Sequence, residues 1–242
     1  MMGLRSVGDA RPTSIFASPP TGLTRSIHDA FRRRILDPHF SCLGARSAMS
    51  GERYRFGLYG ALGEEEGTHR LARDLARFAA SMGSADAGQF STFVAAFTGP
   101  LALSERRFEA LLWQQLQALH EIDARDHDWD PSVSGDPDDP TFALSIGGKA
   151  FFVVGLHGGA SRRTRRFAWP TLVFNPHDQF RRLRTTGHFE RMQNVIRQRE
   201  VALQGSINPM LSDFGTRSEA RQYAGREVEE EWRCPFTKGE LG

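Results

Sequence analysis

Short apolar runs recur along the chain and predict the strands of a sheet. Runs of strand length lie at 54–62, 90–97, 142–146, 150–157 and 170–175. The third and fourth runs flank Gly147 and Gly148, and paired glycines favour a tight hairpin turn because they adopt positive φ readily. We therefore expect five strands, two of which form a hairpin.

Between these runs, apolar residues recur every three or four positions, which is the spacing of a helix with one buried face. Such stretches lie at 27–35, 71–82, 108–122 and 189–203. The first ends before Pro38, because a residue that precedes proline is disfavoured in a helix. Thr68 and Ser104 are the expected N-caps of the second and third helices.

The order of these elements predicts the fold class. Helices interleaved with strands, with one hairpin, indicate an α+β (or α/β) fold in which a mixed β-sheet is flanked by helices. We expect one domain over residues 26–242. The segment 1–25 mixes Gly, Pro, Ser and Thr without a sustained period and is predicted to be a flexible N-terminal tail. An acidic loop follows the third helix at 123–140, and the chain from 205 onward is irregular and polar.

Composition and net charge indicate which classes of protein the sequence favours. The 242 residues carry a net charge of +2, which does not favour a general polyanion binder, and all but two of the 31 basic residues are arginine. No apolar run has the roughly 20 residues that cross a bilayer, and residues 1–25 lack the apolar core of a secretory signal. Cys42 and Cys234 make no disulfide framework. We expect a cytoplasmic protein without membrane contact; the sequence leaves monomer and homodimer open.

Two histidines end apolar strands. His157 follows the run 150–156 and precedes two glycines, and His177 follows 170–175 and Pro176. Each is a candidate ligand at a strand end, and two such imidazoles on adjacent strands could share a metal ion. The competing interpretation is a loop histidine bonded to a carbonyl. A zinc site has little support, because neither HExxH nor CxxC occurs.

The segment between these histidines is rich in arginine. Arg162, Arg163, Arg165 and Arg166 lie within five positions. They are candidates for binding nucleic acid, but a nucleic-acid surface needs a wider basic field. A compact arginine group also suits carboxylates, which guanidinium groups bind through two parallel hydrogen bonds.

The C-terminal third holds the densest polar pattern. Its polar side chains either cover the protein surface or line a pocket. The spaced glycines indicate that the backbone follows a defined path rather than being disordered, and this favours the pocket. The residues concerned are Gln204, Asn208, Asp213, Glu219, Arg221, Gln222, Tyr223 and Arg226.

Three blocks of sequence resemble the YqcI/YcgG family. They are CLGARSAMSGERYRFGLYG (42–60), LHGGASRRTRRFAWPTLVFNPHDQFRRLR (156–184) and GSINPMLSDFGTRSEARQYAGREVEEEWRCPF (205–236). The chain departs from the family pattern at Ser41, Gly158 and Ala224. The resemblance implies a heme-dependent monooxygenase that N-hydroxylates a guanidino group, on arginine or an arginine-derived amino acid, in bacterial specialised metabolism.

The resemblance also implies how a heme would be held. A heme needs one strong axial ligand, for which His157 ranks first, His177 second, and Cys42 or Cys234 third. Arg162, Arg165 and Arg166 would then receive the propionates. The single-ligand requirement explains why no third metal ligand stands at a recognisable spacing.

A guanidinium substrate needs a carboxylate, and Glu219 and Asp213 are the candidates. Arg221 or Arg226 would bind the α-carboxylate of the substrate. No flavin or NAD fingerprint occurs, so electrons for O2 would come from an external donor or reductase. The alternatives are a non-catalytic heme or small-molecule binding protein, and a nucleic-acid protein that the near-neutral charge disfavours.

Overall fold

The computed structural model describes residues 14–82, 90–185 and 187–239. The helices are α1 (Gly22–Leu36), α2 (Leu43–Ser50), α3 (Glu65–Ser81), α4 (Glu105–Asp123), α5 (His177–Thr185), α6 (His188–Gln204) and α7 (Ala220–Tyr223). The strands are β1 (Tyr54–Ala61), β2 (Thr92–Gly99), β3 (Leu144–Ile146), β4 (Lys149–Leu156) and β5 (Thr171–Pro176). None of the helices within the described ranges is long and apolar enough to span a bilayer.

The strands form one mixed sheet in the order β1-β2-β5-β4-β3. β1 and β2 are parallel, and the remaining neighbours are antiparallel. The fold is therefore the α+β arrangement that the sequence predicts, with helices on both faces of the sheet. Gly147 and Gly148 turn the β3–β4 hairpin at φ of 61° and 67°, which confirms the role predicted for them.

Each face of the sheet has its own core. On one face, α3 and α4 pack against the large side chains of β2, β4 and β5. On the other face, α1 packs against β1 and β2, with Phe31, Phe56 and Val94 in its core. Because side chains alternate along a strand, neighbouring residues of β4 and β5 point to different cores.

Helix boundaries confirm one predicted cap and correct another. The Ser104 hydroxyl accepts a hydrogen bond from the Arg107 amide at 3.3 Å, as a cap of α4 should. Thr68, however, lies inside α3, where its hydroxyl donates to the Glu64 carbonyl at 2.6 Å. The helix begins at Glu65 because acidic residues in the first turn favour the helix N-terminus.

The predicted tail boundary at residue 25 falls inside α1, which begins at Gly22. The hydroxyl of Thr21 caps this helix by accepting from the Thr24 amide at 3.2 Å. Residues 15–17 also pair with β1, where Ala17 donates its amide to Phe56 at 2.9 Å. Residues 1–13 of the predicted tail lie outside the described residues. Helices α2, α5 and α7 were not predicted, because each is too short to show a sustained period.

Candidate functional site

Two adjoining cavities lie between the sheet and the helices α2 and α6. The larger has a volume of about 260 Å³ and is bordered by α5, α6 and the segment 211–222. The smaller has a volume of about 200 Å³ and reaches the segment 164–165. They share the wall residues Cys42, Ala45, Val154, Asn175, Ile196 and Leu211. The pocket predicted for the C-terminal segment therefore exists, and its walls combine that segment with the sheet.

His177 lies in the wall of the larger cavity at the end of β5. Its side chain is buried, and its ring lies 4.4 Å from the ring of Phe214. Nε2 is 3.1 Å from a carboxylate oxygen of Glu219, whereas Nδ1 has no hydrogen-bond partner among the described residues. One ring nitrogen is thus fixed by a carboxylate, and the other is buried without a partner among the described residues.

Glu219 is buried beside this histidine, immediately before α7. Its second carboxylate oxygen lies 2.7 Å from the hydroxyl of Tyr223. Burial raises the pKa of Glu219, and the hydrogen bond from His177 opposes that rise. Burial and the neighbouring Glu219 carboxylate together hold the pKa of Tyr223 well above its ordinary value. The three side chains form a buried hydrogen-bonded chain that ends at the cavity.

His157 follows β4 and is 1% exposed, but it lines neither of the two cavities. Its ring stacks on Phe108 of α4 with ring centres 4.3 Å apart. Among the described residues Nδ1 makes no hydrogen bond of normal geometry, although the Leu103 carbonyl is close enough to favour a protonated ring. Burial outweighs that effect and lowers the pKa of His157.

The alternation of β4 explains why His157 does not reach the cavities. Phe151 and Val153 face the core formed with α3 and α4. Gly155 faces the same side, where an added Cβ would come within 2.6 Å of Phe108. His157 continues this row, whereas Phe152 and Val154 line the larger cavity. Of the two histidines, the geometry favours His177 as the one that reaches a cavity.

The two histidines cannot share a metal ion, as one hypothesis supposed. β4 and β5 are adjacent but antiparallel, and Leu156 pairs with Thr171 while Phe151 pairs with Pro176. At the usual rise of a strand, the two ends lie roughly 17 Å apart. The described residues contain no group of three or more His, Cys, Asp or Glu side chains that could hold a metal ion.

Arg162 forms a buried ion pair with Glu200 of α6, at 2.8 Å. Its guanidinium also donates to the Ser206 hydroxyl at 3.0 Å, and the Ser41 hydroxyl donates to the other Glu200 oxygen at 2.7 Å. These bonds join α6 to the loop before β5. Arg162 thus has a protein carboxylate as its partner.

Arg165 lines the smaller cavity and binds backbone carbonyls. Its guanidinium donates to Gly155 at 3.1 Å, Tyr223 at 3.2 Å and Gln222 at 3.1 Å. Burial lowers its pKa to about 10. Within the described ranges no carboxylate is hydrogen-bonded to it, so a buried positive charge faces the cavity. Arg166 is exposed and donates to the Ala160 carbonyl at 2.6 Å.

The predicted substrate residues divide into two groups. Asp213 and Glu219 both line the larger cavity. Asp213 is exposed, and one of its oxygens accepts from Gln193 at 2.9 Å. The structure thus brings both candidate carboxylates to the site.

The two predicted arginine partners lie elsewhere. Arg221 donates to the Trp232 carbonyl at 3.1 Å and lies over its indole ring, 5.5 Å away. Arg226 binds Glu109 of α4 at 2.6 Å. Neither lines either cavity. Within the described residues, Arg184 and Arg197 are cavity-lining arginines that sequence analysis missed. The helical spacing of α6 was the available signal for Arg197, and no sustained period marked Arg184.

The two cysteines occupy different surroundings. Cys42 lines both cavities and caps α2, and Cys234 packs against the core on the α4 side. Burial raises the pKa of both thiols, that of Cys234 to about 12. Because the thiolate is the form that binds metals, both are weaker candidate ligands than an imidazole.

Comparison with protein families identifies the family. The model of the YqcI/YcgG family matches residues 31–237. The match covers all five strands and both cavities, and the chain belongs to this family. No curated protein and no solved structure matches the chain.

Proposed function

We propose that this protein is a heme-dependent monooxygenase that N-hydroxylates the guanidino nitrogen of an arginine-like substrate, or a related amino-acid nitrogen, with His177 as the axial ligand. The observation that carries the proposal is the environment of His177. His177 lines the larger cavity, its Nδ1 is buried without a partner among the described residues, and its Nε2 is bound by Glu219. A histidine that ligates a metal almost always has its other nitrogen bonded to such a group.

A heme bound through one histidine supplies the O2 activation that oxidation of a guanidinium requires. The chain's own residues exclude water and fix the bound groups. Apolar side chains such as Phe152, Phe180 and Ile196 line the larger cavity. Electrons would come from an external donor or reductase, since the sequence carries no flavin or NAD fingerprint. We place the protein in the cytoplasm, because its two cysteines are free.

Arg165 is the predicted arginine best suited to an anionic group of heme or substrate. It is buried, lines the smaller cavity and binds only carbonyl oxygens among the described residues. A carboxylate would compensate its charge by charge-assisted hydrogen bonds. Arg162 is less suited, because Glu200 already pairs with it.

Asp213 is the carboxylate we assign to the cationic end of the substrate. It lines the larger cavity and is exposed, and one of its oxygens accepts a hydrogen bond from Gln193. Glu219 is less suited, since both of its oxygens have partners.

A non-catalytic heme or small-molecule binding protein is the second candidate, because the same cavity and histidine suit binding without turnover. A nucleic-acid function has less support. The buried arginines Arg162, Arg165 and Arg226 bond to groups of the protein itself rather than forming a basic surface.

The test combines loading with turnover. Heme-loaded protein is incubated with arginine and other guanidino acids, a reductant and O2, and products are analysed for a mass gain of one oxygen. We expect substrate-dependent O2 consumption and an oxygenated product, both lost without reductant and strongly reduced in Asp213→Asn. Heme binding without oxidation of any substrate would support the binding protein. Failure to bind heme would contradict the monooxygenase and leave, of the second candidate, only the binding of another small molecule.

A further inference from the structure

Glu219 connects His177 to the structural core. One oxygen lies 3.1 Å from His177 Nε2 and the other 2.7 Å from the Tyr223 hydroxyl. All three side chains are buried, at 3% exposure for His177, 4% for Glu219 and 0% for Tyr223. A carboxylate with both oxygens occupied by protein groups is better placed to orient a neighbour than to bind a substrate.

Tyr223 is fixed in turn by the β3–β4 hairpin. The Leu144 amide donates to its hydroxyl at 3.2 Å, and the Phe151 carbonyl lies 3.2 Å away. Its ring stacks on Trp113 of α4 at 5.6 Å. With an amide already donating to it, the hydroxyl directs its own hydrogen to an acceptor. Glu219 is the closer acceptor, at 2.7 Å.

This arrangement has a consequence for the histidine. Tyr223 donates to one oxygen of Glu219, and the other oxygen faces Nε2. With Glu219 as the acceptor of both bonds, the nitrogen that faces it carries the hydrogen. The hydrogen of the imidazole then resides on Nε2, and the lone pair resides on Nδ1.

We propose that Glu219 is the positioning residue of His177: anchored by Tyr223, it fixes the ring and selects the Nε2–H tautomer, which leaves the lone pair on Nδ1, the buried nitrogen without a partner among the described residues. The inference rests on the proposed function in so far as Nδ1 would ligate heme iron. The tautomer itself is a property of the ligand-free protein. The assignment also takes Glu219 out of direct substrate binding, which leaves Asp213 for that role.

The experiment measures the tautomer in ligand-free protein with ¹⁵N-labelled histidine, by long-range ¹H–¹⁵N spectra. His177→Asn identifies the His177 signals by their loss. We expect wild type to show an unprotonated Nδ1 and a protonated Nε2. Glu219→Gln should give a mixture of tautomers, because an amide both donates and accepts. Tyr223→Phe should shift the populations in the same direction but less, and it serves if Glu219→Gln does not fold.

Heme titration supplies the second readout, with Glu109→Gln as the matched control, because Glu109 is a buried carboxylate that pairs with Arg226 and lines neither cavity. Loss of such a supporting group typically lowers affinity about 10- to 100-fold, so we expect that loss in Glu219→Gln and less than about a threefold change in Glu109→Gln. An Nδ1–H tautomer in wild type, or tautomers unchanged in both Glu219→Gln and Tyr223→Phe, would overturn the inference. If the tautomer depends on Glu219 but wild type binds no heme, the positioning role stands and the proposed function fails.

Discussion

His157 and His177 begin from the same sequence pattern and end in different surroundings. Each follows an apolar strand, and each is buried. His157 lies on the α4 face, where the ring of Phe108 stacks on it. His177 lies on the opposite face, where α6 stands away from the sheet and leaves a cavity. What covers a strand end decides whether a histidine there packs or can bind a ligand.

The two faces also differ in what holds them together. On the α4 face, large apolar side chains fill the space between helices and sheet. On the cavity face, buried polar bonds such as the Arg162–Glu200 pair join α6 to the rest of the fold. Dense packing stabilises the α4 face. The cavity face contains open space, so its apolar side chains make fewer van der Waals contacts.

The largest expected effect is on the rate at which the cysteine on the α4 side is alkylated. Burial raises the pKa of Cys234 on the α4 side to about 12, from an ordinary 9.0. Since the thiolate is the reactive form, alkylation at pH 8 should be about 1000-fold slower than in unfolded protein. Iodoacetamide labelling with and without urea, read by peptide mass, measures this, with Cys42 as the cavity-side reference. Equal rates in the folded and unfolded protein would contradict the burial of Cys234.

Truncating the phenylalanine that contacts each histidine should change the free energy of unfolding by different amounts on the two faces. Phe108→Ala removes a fully buried ring and should cost about 3–5 kcal/mol in the free energy of unfolding. Phe214→Ala removes a half-buried ring from the cavity side and should cost about 1 kcal/mol. Urea unfolding of both variants checks the difference. Similar losses would mean that the two histidines have equally packed surroundings.

The buried ion pair on the cavity face should respond in a different way. Glu200→Ala leaves Arg162 buried without its carboxylate and should cost about 3 kcal/mol. The double variant Arg162→Met with Glu200→Met should recover most of that loss, because two apolar side chains need no compensation. Urea unfolding of the single and double variants decides this. A double variant as unstable as the single one would contradict the account.

The smallest expected effect is the dependence of stability on pH. Burial lowers the folded-state pKa of His157, so protonation favours the unfolded chain. Stability contributed by this histidine is therefore present above its unfolded pKa of about 6.5 and is lost as pH falls toward the folded pKa. His157→Gln should flatten the decline of the unfolding free energy between pH 7 and pH 5. An unchanged slope would show that His157 does not titrate differently in the two states.

Much of this comparison was within reach of the sequence, and part was not. The apolar runs 150–157 and 170–175 predicted the strands. Side-chain alternation along them assigns His157 and His177 to opposite faces once the pairing and register of the two strands are known. That pairing is a long-range property, and no local pattern specifies it. The cavity depends on how far α6 stands from the sheet, which again follows from tertiary contacts.

The location of some polar residues of the C-terminal segment was predictable from the sequence, and that of others was not. Asp213 and Glu219 were assigned to a pocket from composition, and both line the larger cavity. Arg221 and Arg226 share that composition but bond to Trp232 and Glu109. In a short irregular segment, backbone turns decide whether a side chain points into the cavity or away from it. Such turns leave no periodic pattern in the sequence.

The most direct test of the central claim is heme titration of His177→Gly and His157→Gln, followed through the Soret band. We predict that wild type and His157→Gln acquire the same histidine-ligated spectrum. His177→Gly should lose it and regain it when imidazole is added to fill the space left by the side chain. Retention of the wild-type spectrum by His177→Gly, with its loss in His157→Gln, would contradict the account and return the ligand to the α4 face.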